Sequence, residues 1–198
     1  MNKLPEGHFN VKLEGPFMIS VINAVKALEG GFVEIGSLFG RSSVIIGREL
    51  EAIGANLTCI DVWGECQHGL KKEIGEAIKY YPARPLNSFQ IFKDNIKRFH
   101  LEDTIVPIQD RAENVYKKWV HPLRFIFVDG CHEYEFVKKD ALWKKFLVNH
   151  GIIVFHDYHT PWVGVSRAVN EAMSSDPDFT EFGGCHTTKA FVRLKNGI

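Results

Sequence analysis

The sequence lacks several features that would place it in a specialised class of protein. Its 198 residues include four cysteines and no Cys-x-x-Cys pair, which argues against a disulfide scaffold and favours reduced thiols in the cytoplasm. Residues 1–16 hold no apolar segment behind a basic stretch, so no signal peptide is expected there. No apolar run is long enough to cross a bilayer, and no membrane partner is expected.

The charges show no excess of either sign, with 24 Lys and Arg residues against 24 Asp and Glu residues. This balance gives no reason to expect a nucleic-acid partner. Apolar content of 45% and charged content of 24% are ordinary for a globular protein. The length predicts one domain over 1–198, with a helical lead-in over 1–30 and a ligand-binding core over 31–198. A homodimer is left open.

Continuous apolar runs alternate with segments of helical periodicity along the chain. Strands are predicted over 32–37, 57–63, 104–110, 124–129, 151–155, 179–182 and 189–194. Helices are predicted over 16–28, 41–53, 70–80, 88–99, 111–119, 133–147 and 163–173. The alternation predicts an α/β fold of the Rossmann-like, doubly wound kind. Its seven-stranded sheet should be mostly parallel, with an antiparallel C-terminal strand after a turn at Gly183-Gly184.

Two of the predicted strands end on an acid. The first contains Glu34 and leads into the turn Gly36-x-x-x-Gly40, and the second ends at Asp61. Ligands of an open α/β sheet bind outside the carboxyl ends of the strands. The glycine turn would let a ligand approach backbone N–H groups, and Asp61 could accept both hydroxyls of a ribose. The pair predicts a cofactor that contains a nucleoside.

The glycine turn does not have the Gly-x-Gly-x-x-Gly spacing that seats a pyrophosphate at a helix N-terminus. The Glu34 carboxylate would repel a pyrophosphate and would suit a cofactor that carries an ammonium group. Both features count against an NAD(P)-dependent oxidoreductase, which is kept as the alternative.

Five segments resemble the motifs of class I S-adenosylmethionine-dependent methyltransferases. They are Val33–Ser43, Cys59–Trp63, Val106–Ala112, Phe127–Glu135 and Gly151–Tyr158. The last two are similar to one branch, the small-molecule O-methyltransferases of the macrocin O-methyltransferase kind. The resemblance implies methyl transfer from S-adenosylmethionine to a hydroxyl of a small molecule, such as a sugar or a natural-product intermediate.

The resemblance also implies which residues hold the cofactor. They are Glu34, Gly36, Ser37, Gly40, Ser42, Asp61, Val62, Trp63, Asp110, Arg111, Ala112 and Asp129. The two glycines would admit the methionine part, and Ser42 would bind its carboxylate near a helix N-terminus. The segment that begins at Asp110 would contact the adenine edge. Trp63 would flank the adenine with Val62, or it would be a plain core aromatic.

Four side chains that can do chemistry follow the fourth and fifth predicted strands: Asp129, His132, His156 and Asp157. In one hypothesis, Asp129 and Asp157 hold a divalent cation such as magnesium, as the resemblance implies. In the other there is no metal, and His132 or His156 is the general base. A third hypothesis is a non-catalytic relative that acts as a partner protein. Each of these residues could also serve only to cap a helix or bind backbone.

Overall fold

The computed structural model describes residues 3–64, 87–159 and 162–194. The helix predicted over 70–80 lies outside these ranges. None of the helices inside them combines the length and the apolar character that a membrane-crossing helix needs.

Helices and strands alternate through most of the chain, as the sequence predicts. The helices are α1 (Glu14–Val25), α2 (Arg41–Glu51), α3 (Ser88–Arg98), α4 (Ala112–Lys118), α5 (Tyr134–Asp140) and α6 (Val163–Met173). A 3-10 helix, Ala141–Phe146, follows α5 directly. The strands are β1 (Gly31–Ile35), β2 (Leu57–Asp61), β3 (Ile105–Gln109), β4 (Leu123–Val128), β5 (Leu147–Phe155), β6 (Phe179–Cys185) and β7 (Thr188–Arg193).

The strands form one sheet in the order β3-β2-β1-β4-β5-β7-β6. The first five strands of that order are parallel to one another. β7 pairs antiparallel with β5, and β6 pairs antiparallel with β7. The predicted fold class, a mostly parallel seven-stranded sheet with an antiparallel C-terminal strand, is confirmed.

Two apolar cores lie on the two faces of the sheet, because successive residues of a strand point to opposite sides. Phe125 and Phe127 of β4 pack in one core with residues of α1, α2 and α3. Ile126 and Val128 pack in the other with residues of α5, α6 and the 3-10 helix. This two-sided burial explains why β4 is apolar along its whole length.

The direction of strand order changes at β1, which lies between β2 and β4. β2 therefore lies beside one edge of β1, and β4 lies beside its other edge. Such a point opens a crevice at the carboxyl ends of the strands, where ligands of these sheets bind. Gly36, Asp61 and Asp129 follow directly on, or end, the three strands that meet there.

Two predicted boundaries were wrong near the fifth strand. The helix predicted over 133–147 ends as α5 at Asp140 and continues as the 3-10 helix. β5 begins at Leu147, not at Gly151, and Leu147 pairs with Leu123 before a register irregularity in β4. His150 has a φ of 64°, so the chain bends within β5 just before Gly151, where the predicted strand begins.

The predicted turn at Gly183-Gly184 was also wrong, because both glycines lie inside β6. A Cβ on Gly184 would lie 2.6 Å from the carbonyl oxygen of Thr188. The glycine therefore allows the two strands to approach each other closely, as at a β-bulge. The hairpin turn is formed by His186 and Thr187.

Candidate active site

The turn after β1 crosses the end of β4 at very short distance. Gly36 has a φ of 87°, and a Cβ on it would lie 2.1 Å from the carbonyl oxygen of Asp129. The Gly36 N–H donates to the Ile60 carbonyl (2.8 Å), and the Asp129 N–H donates to the Ile35 carbonyl (2.8 Å). Only glycine tolerates this positive φ and leaves room for the Asp129 carbonyl oxygen. Its presence brings the ends of β1, β2 and β4 into contact.

Glu34 is fully buried beneath this turn. The Ser42 hydroxyl donates to its carboxylate at 2.5 Å, the Ser43 hydroxyl donates to the other oxygen, and the Cys59 thiol lies 3.3 Å away. Burial raises the pKa of Glu34, although these hydroxyls act in the opposite direction. Glu34 thus ties β1 to the first turn of α2, and the Ser42 hydroxyl is directed at Glu34 inside the protein.

Ser37 contributes a buried hydroxyl on the glycine turn. It has no hydrogen-bond partner of ordinary geometry among the described residues, although it is near enough to Glu34 to lower the pKa of that carboxyl. A buried hydroxyl without a partner is costly. A polar ligand lying along the turn would satisfy it, so this group fits the cofactor-binding role predicted for Ser37.

Asp61 closes the turn from the end of β2. Its two carboxylate oxygens accept the N–H groups of Leu38 (2.9 Å) and Trp63 (2.8 Å). A carboxylate offers about four acceptor sites, so one carboxylate can accept more than two hydrogen bonds. Asp61 therefore holds the loop in shape, and the predicted acceptance of ribose hydroxyls is chemically compatible with this arrangement.

Trp63 lies in the core. Its side chain is 1% exposed, its Nε1–H donates to the Leu38 carbonyl at 2.7 Å, and its ring packs against Phe89 and Phe92. This environment matches the alternative of a core aromatic that supports the glycine turn from below. Val62, its neighbour, is half-buried.

Asp110 lies at the end of β3, next to Asp61, because its N–H donates to the Asp61 carbonyl. Its carboxylate accepts the Arg111 N–H (2.7 Å) and the Asn114 amide (2.8 Å). The hydrogen bond from Asn114 is the main cause that lowers the pKa of Asp110. Asp110 thus fixes the start of α4, where Ala112 is the first helical residue.

The chemically active groups meet at the ends of β4 and β5, around the buried ring of His156. Its Nδ1 lies 3.0 Å from an Asp157 oxygen and 3.2 Å from an Asp129 oxygen. Its Nε2 lies 3.2 Å from an oxygen of Glu14. The ring stacks on Phe9, which comes from the segment before α1.

These contacts fix the protonation state of His156. Carboxylates only accept hydrogen bonds, so a ring with carboxylates at both nitrogens carries a proton on each. Burial alone would lower the pKa of His156, but the charge of Asp129 and the hydrogen bonds to Asp129, Asp157 and Glu14 raise that pKa far above its usual value. An imidazolium has no lone pair with which to accept a proton, so His156 does not fit the role of general base.

The same geometry bears on the metal hypothesis. Ligand atoms of Asp129, His156 and Asp157 lie within 4.8 Å of one another. In the structure, a proton on Nδ1 of His156 faces both carboxylates, and a cation bound there would have to displace that proton. Two carboxylates and one imidazole can hold a divalent cation, so this donor set is compatible with the metal hypothesis.

His132 has the arrangement of an oriented base. Its Nε2 lies 2.9 Å from Asp157, and its partly exposed ring packs on Trp162. Because the carboxylate accepts a hydrogen bond, the tautomer with hydrogen on Nε2 is assigned, and Nδ1 carries the lone pair. Burial raises the pKa of Asp157, but the hydrogen bonds from His132 and His156 outweigh burial and lower that pKa below its usual value.

Glu14 belongs to the site, although no motif in the sequence points to it. It lies at the first residue of α1, is fully buried, and belongs to the same cluster as His156, which is 142 residues away in the chain. A single acid in a helical lead-in gives no sign of such a partner. Its burial identifies Glu14 as a member of the cluster, and burial cannot be seen in the sequence.

Comparison with known proteins identifies the family. A family model described as a methyltransferase domain matches residues 33–158, which is more than half of the chain. The chain belongs to this family. The prediction of a methyltransferase enzyme is confirmed, and the alternative of an NAD(P)-dependent oxidoreductase is overturned.

Solved structures share the fold of this methyltransferase. The O-methyltransferase NovP superposes with a TM-score of 0.75 at 14% identity, with 92% of this chain and 80% of NovP covered. An O-methyltransferase from Bacillus cereus in complex with SAH gives 0.66 at 15% identity, with 97% and 84% covered. CalS11, a TDP-rhamnose 3'-O-methyltransferase, gives 0.62 at 14% identity, with 92% and 79% covered.

Proposed function

We propose that this methyltransferase transfers the methyl group of S-adenosylmethionine to a hydroxyl of a small molecule, such as a sugar or a natural-product intermediate. The observation that carries the proposal is the His132–Asp157 pair, 2.9 Å apart, beside Asp129 at the carboxyl edge of the sheet. A hydroxyl acceptor loses a proton during methylation, and a base oriented by a carboxylate is suited to remove it.

The cofactor supplies a methyl group on a sulfonium, which is open to in-line attack. In the proposed reaction the acceptor oxygen forms a bond to the methyl carbon, and the bond from that carbon to sulfur breaks. The acceptor proton goes to Nδ1 of His132, and S-adenosylhomocysteine (SAH) is released. Asp157 keeps the His132 ring in the tautomer that this step needs.

The residues around the glycine turn support the cofactor half of the proposal. Among the described residues, the buried Ser37 hydroxyl has no hydrogen-bond partner of ordinary geometry, and Gly36 and Gly40 place no side chain at the two ends of the turn. We assign the ribose hydroxyls to Asp61 and the adenine edge to the segment that begins at Asp110. For Ser42, whose hydroxyl binds Glu34, the backbone N–H is the group left to contact the cofactor carboxylate.

The structural relatives support the choice of acceptor class. NovP is described as an O-methyltransferase, and CalS11 acts on TDP-rhamnose in calicheamicin biosynthesis. Sugar hydroxyls are therefore the first acceptors to test. Membership of the macrocin-like branch, the magnesium ion and the cytoplasmic location stay predictions; the described cysteines, Cys59, Cys131 and Cys185, are free thiols, which supports a reducing compartment.

The cofactor assignment is tested by calorimetric titration of SAH into the protein and into Asp61→Ala. We expect binding to the wild type and a loss of at least about tenfold in the variant, since a ribose contact through two hydrogen bonds to a charged group is removed. Asp103→Ala is the matched control, because Asp103 is an exposed acid just before β3, at the other end of the sheet. Absence of SAH binding to the wild type would withdraw the cofactor assignment.

The same titration, repeated with magnesium and with a chelator, tests the metal hypothesis. If a protonated His156 bridges Asp129 and Asp157, SAH affinity and turnover are equal in both conditions, whereas a bound cation makes them depend on magnesium. A magnesium-dependent change in affinity or turnover would contradict the assignment of that bridge.

The acceptor class is tested with a panel of hexoses, nucleotide-linked deoxysugars, phenols and primary amines, with SAH formation as the readout. We expect turnover with hydroxyl acceptors, and a loss of at least about a hundredfold in His132→Gln at unchanged SAH affinity. Turnover with amines alone would contradict the O-methylation proposal.

A further inference from the structure

Glu14 joins three distant parts of the chain inside the protein. One carboxylate oxygen accepts the Asn10 N–H (2.6 Å) and faces Nε2 of His156 (3.2 Å). The other accepts the Thr187 hydroxyl (2.6 Å) and lies 3.3 Å from Nδ1 of His186 in the hairpin turn. A buried carboxylate is expensive unless it is well paired, so a residue of this kind in a lead-in helix requires a reason.

The contacts of Glu14 extend to the proposed base through a continuous series of charged and polar groups. Glu14 binds Nε2 of His156, Nδ1 of His156 binds Asp157, and Asp157 binds Nε2 of His132. We call these four residues the acid–imidazole chain. No step in the chain is longer than 3.2 Å.

Each member of the acid–imidazole chain fixes the next one. With Glu14 at one nitrogen and Asp157 at the other, the His156 ring has one orientation and carries both protons. The same oxygen of Asp157 faces Nδ1 of His156 and Nε2 of His132. Without the Glu14 carboxylate, Nε2 of His156 would keep, among its described partners, only the Thr187 hydroxyl, 3.3 Å away, and the ring that orients Asp157 would be held less firmly.

We propose that Glu14 is a positioning residue for methyl transfer, which acts by holding the His156 ring and, through it, the Asp157 carboxylate against His132. The role deepens the proposed function and rests on it, because His132 is the base of that function. It also assigns a task to the segment before the family-matched region, since Glu14 precedes residue 33, where that match begins.

A route for protons is the competing interpretation of the same contacts. His186 has a 43% exposed side chain and could connect Glu14 with solvent. A proton would then have to leave the His156 imidazolium and reside on Glu14, whose pKa is lowered to about 2, with burial opposed by the hydrogen bond and charge of His156. Because that transfer is strongly unfavourable, Glu14 acts as a fixed charge.

The test compares Glu14→Gln with His186→Gln. The first removes the charge that faces His156 and keeps the size of the side chain. The second removes the imidazole that faces the other Glu14 oxygen and leaves the Thr187 hydroxyl bound to that oxygen. The readout is the ring nitrogen and proton NMR signals of His132 and His156, together with SAH affinity by calorimetry. For an acceptor found in the panel, kcat and KM are also measured.

In Glu14→Gln we expect displaced His132 ring signals, SAH affinity within about twofold of the wild type, and kcat lowered about tenfold with little change in KM. His186→Gln should match the wild type in all four measurements. Unchanged His132 signals or unchanged kcat in Glu14→Gln would overturn the proposal. An equal effect of His186→Gln would also overturn it, since Glu14 would then act through the hairpin turn.

Two measurements distinguish a failure of this proposal from a folding defect and from a failure of the proposed function. If Glu14→Gln does not fold, Glu14→Asp takes its place, because the shorter side chain keeps the charge but withdraws the carboxylate from Nε2 of His156, and the same displaced His132 signals are expected. Unchanged His132 signals in Glu14→Asp would contradict the proposal. The His132 signals need no acceptor, so a silent acceptor panel counts against the proposed function alone.

Discussion

Charge is concentrated in a small buried volume at the carboxyl edge of the sheet. Three carboxylates, from Glu14, Asp129 and Asp157, surround one imidazolium, that of His156. Burial makes each charge expensive alone, so the folded protein depends on their mutual attraction. The stability of the protein should therefore respond to pH through these groups.

The folded-state pKa of His156 is raised, because the charge of Asp129 and the hydrogen bonds of its carboxylates outweigh burial. A raised pKa means that its stabilisation is complete below the unfolded value, about 6.5, and is lost as pH rises toward the folded value. Between about pH 6.5 and 8.5, the free energy of unfolding of the wild type should fall by up to about 1.4 kcal/mol per pH unit from this group. Urea denaturation across that range measures the slope.

His156→Gln should lack this part of the slope, and His186→Gln should retain it, because His186 is an exposed histidine of the same cluster. Equal slopes in the wild type and His156→Gln would show that His156 does not carry the proton.

At the scale of single residues, the sequence predicted positions better than contacts. Asp61, Asp129 and His132 all lie at the carboxyl edge, because strand ends can be located from apolar runs. Apolar runs do not show in which direction a side chain points. The Ser42 hydroxyl binds the carboxylate of Glu34, a pairing that depends on how α2 packs over β1.

Among the structural elements, the turn from β1 to α2 depends most on a single residue. Gly36→Ala should destabilise the protein by more than about 2 kcal/mol, since the left-handed conformation costs about 1–2 kcal/mol by itself and the Asp129 carbonyl lies in the way. SAH affinity should be lost with the shape of the turn. Thermal unfolding and calorimetry give the two quantities.

Gly54→Ala is the matched control. Gly54 also has a positive φ, 64°, but a Cβ there meets no atom within 4 Å. The expected cost is about 1 kcal/mol, with SAH affinity unchanged. A similar loss of stability in both variants would mean that the close approach to β4 is not what Gly36 provides.

The elements themselves were predictable where their patterns were regular. Val163–Met173 is the helix that its periodicity predicts. The α-helix predicted over 133–147 ends early, and a 3-10 helix follows it. Trp143 is buried in that 3-10 helix, and the change in helical pitch keeps the Trp143 ring against the core. Apolar spacing alone does not distinguish that geometry from an α-helix.

At the scale of the whole molecule, the proposed cofactor would contact only one part of the sheet. The glycine turn, the loop after β2 and the start of α4 belong to the β1, β2 and β3 side. Hydrogen exchange with and without SAH should show protection of residues 36–42, 61–63 and 110–112. The β6–β7 hairpin should show no change. Protection confined to the hairpin would contradict the proposed location.

The order of the strands followed from the sequence only in part. The alternation of helices and strands predicted a parallel sheet, because parallel strands need a crossover. That β7 lies between β5 and β6 depends on pairing between the last strand and the interior of the sheet, which local patterns do not encode.

The contact between Glu14 and the Thr187 hydroxyl spans 173 residues of chain. During synthesis, Glu14 leaves the ribosome long before Thr187 exists. Its carboxylate must therefore stay hydrated, or find temporary partners, until the hairpin arrives. The full set of Glu14 contacts can therefore form only after residue 187 has been synthesised and the hairpin has folded back onto α1.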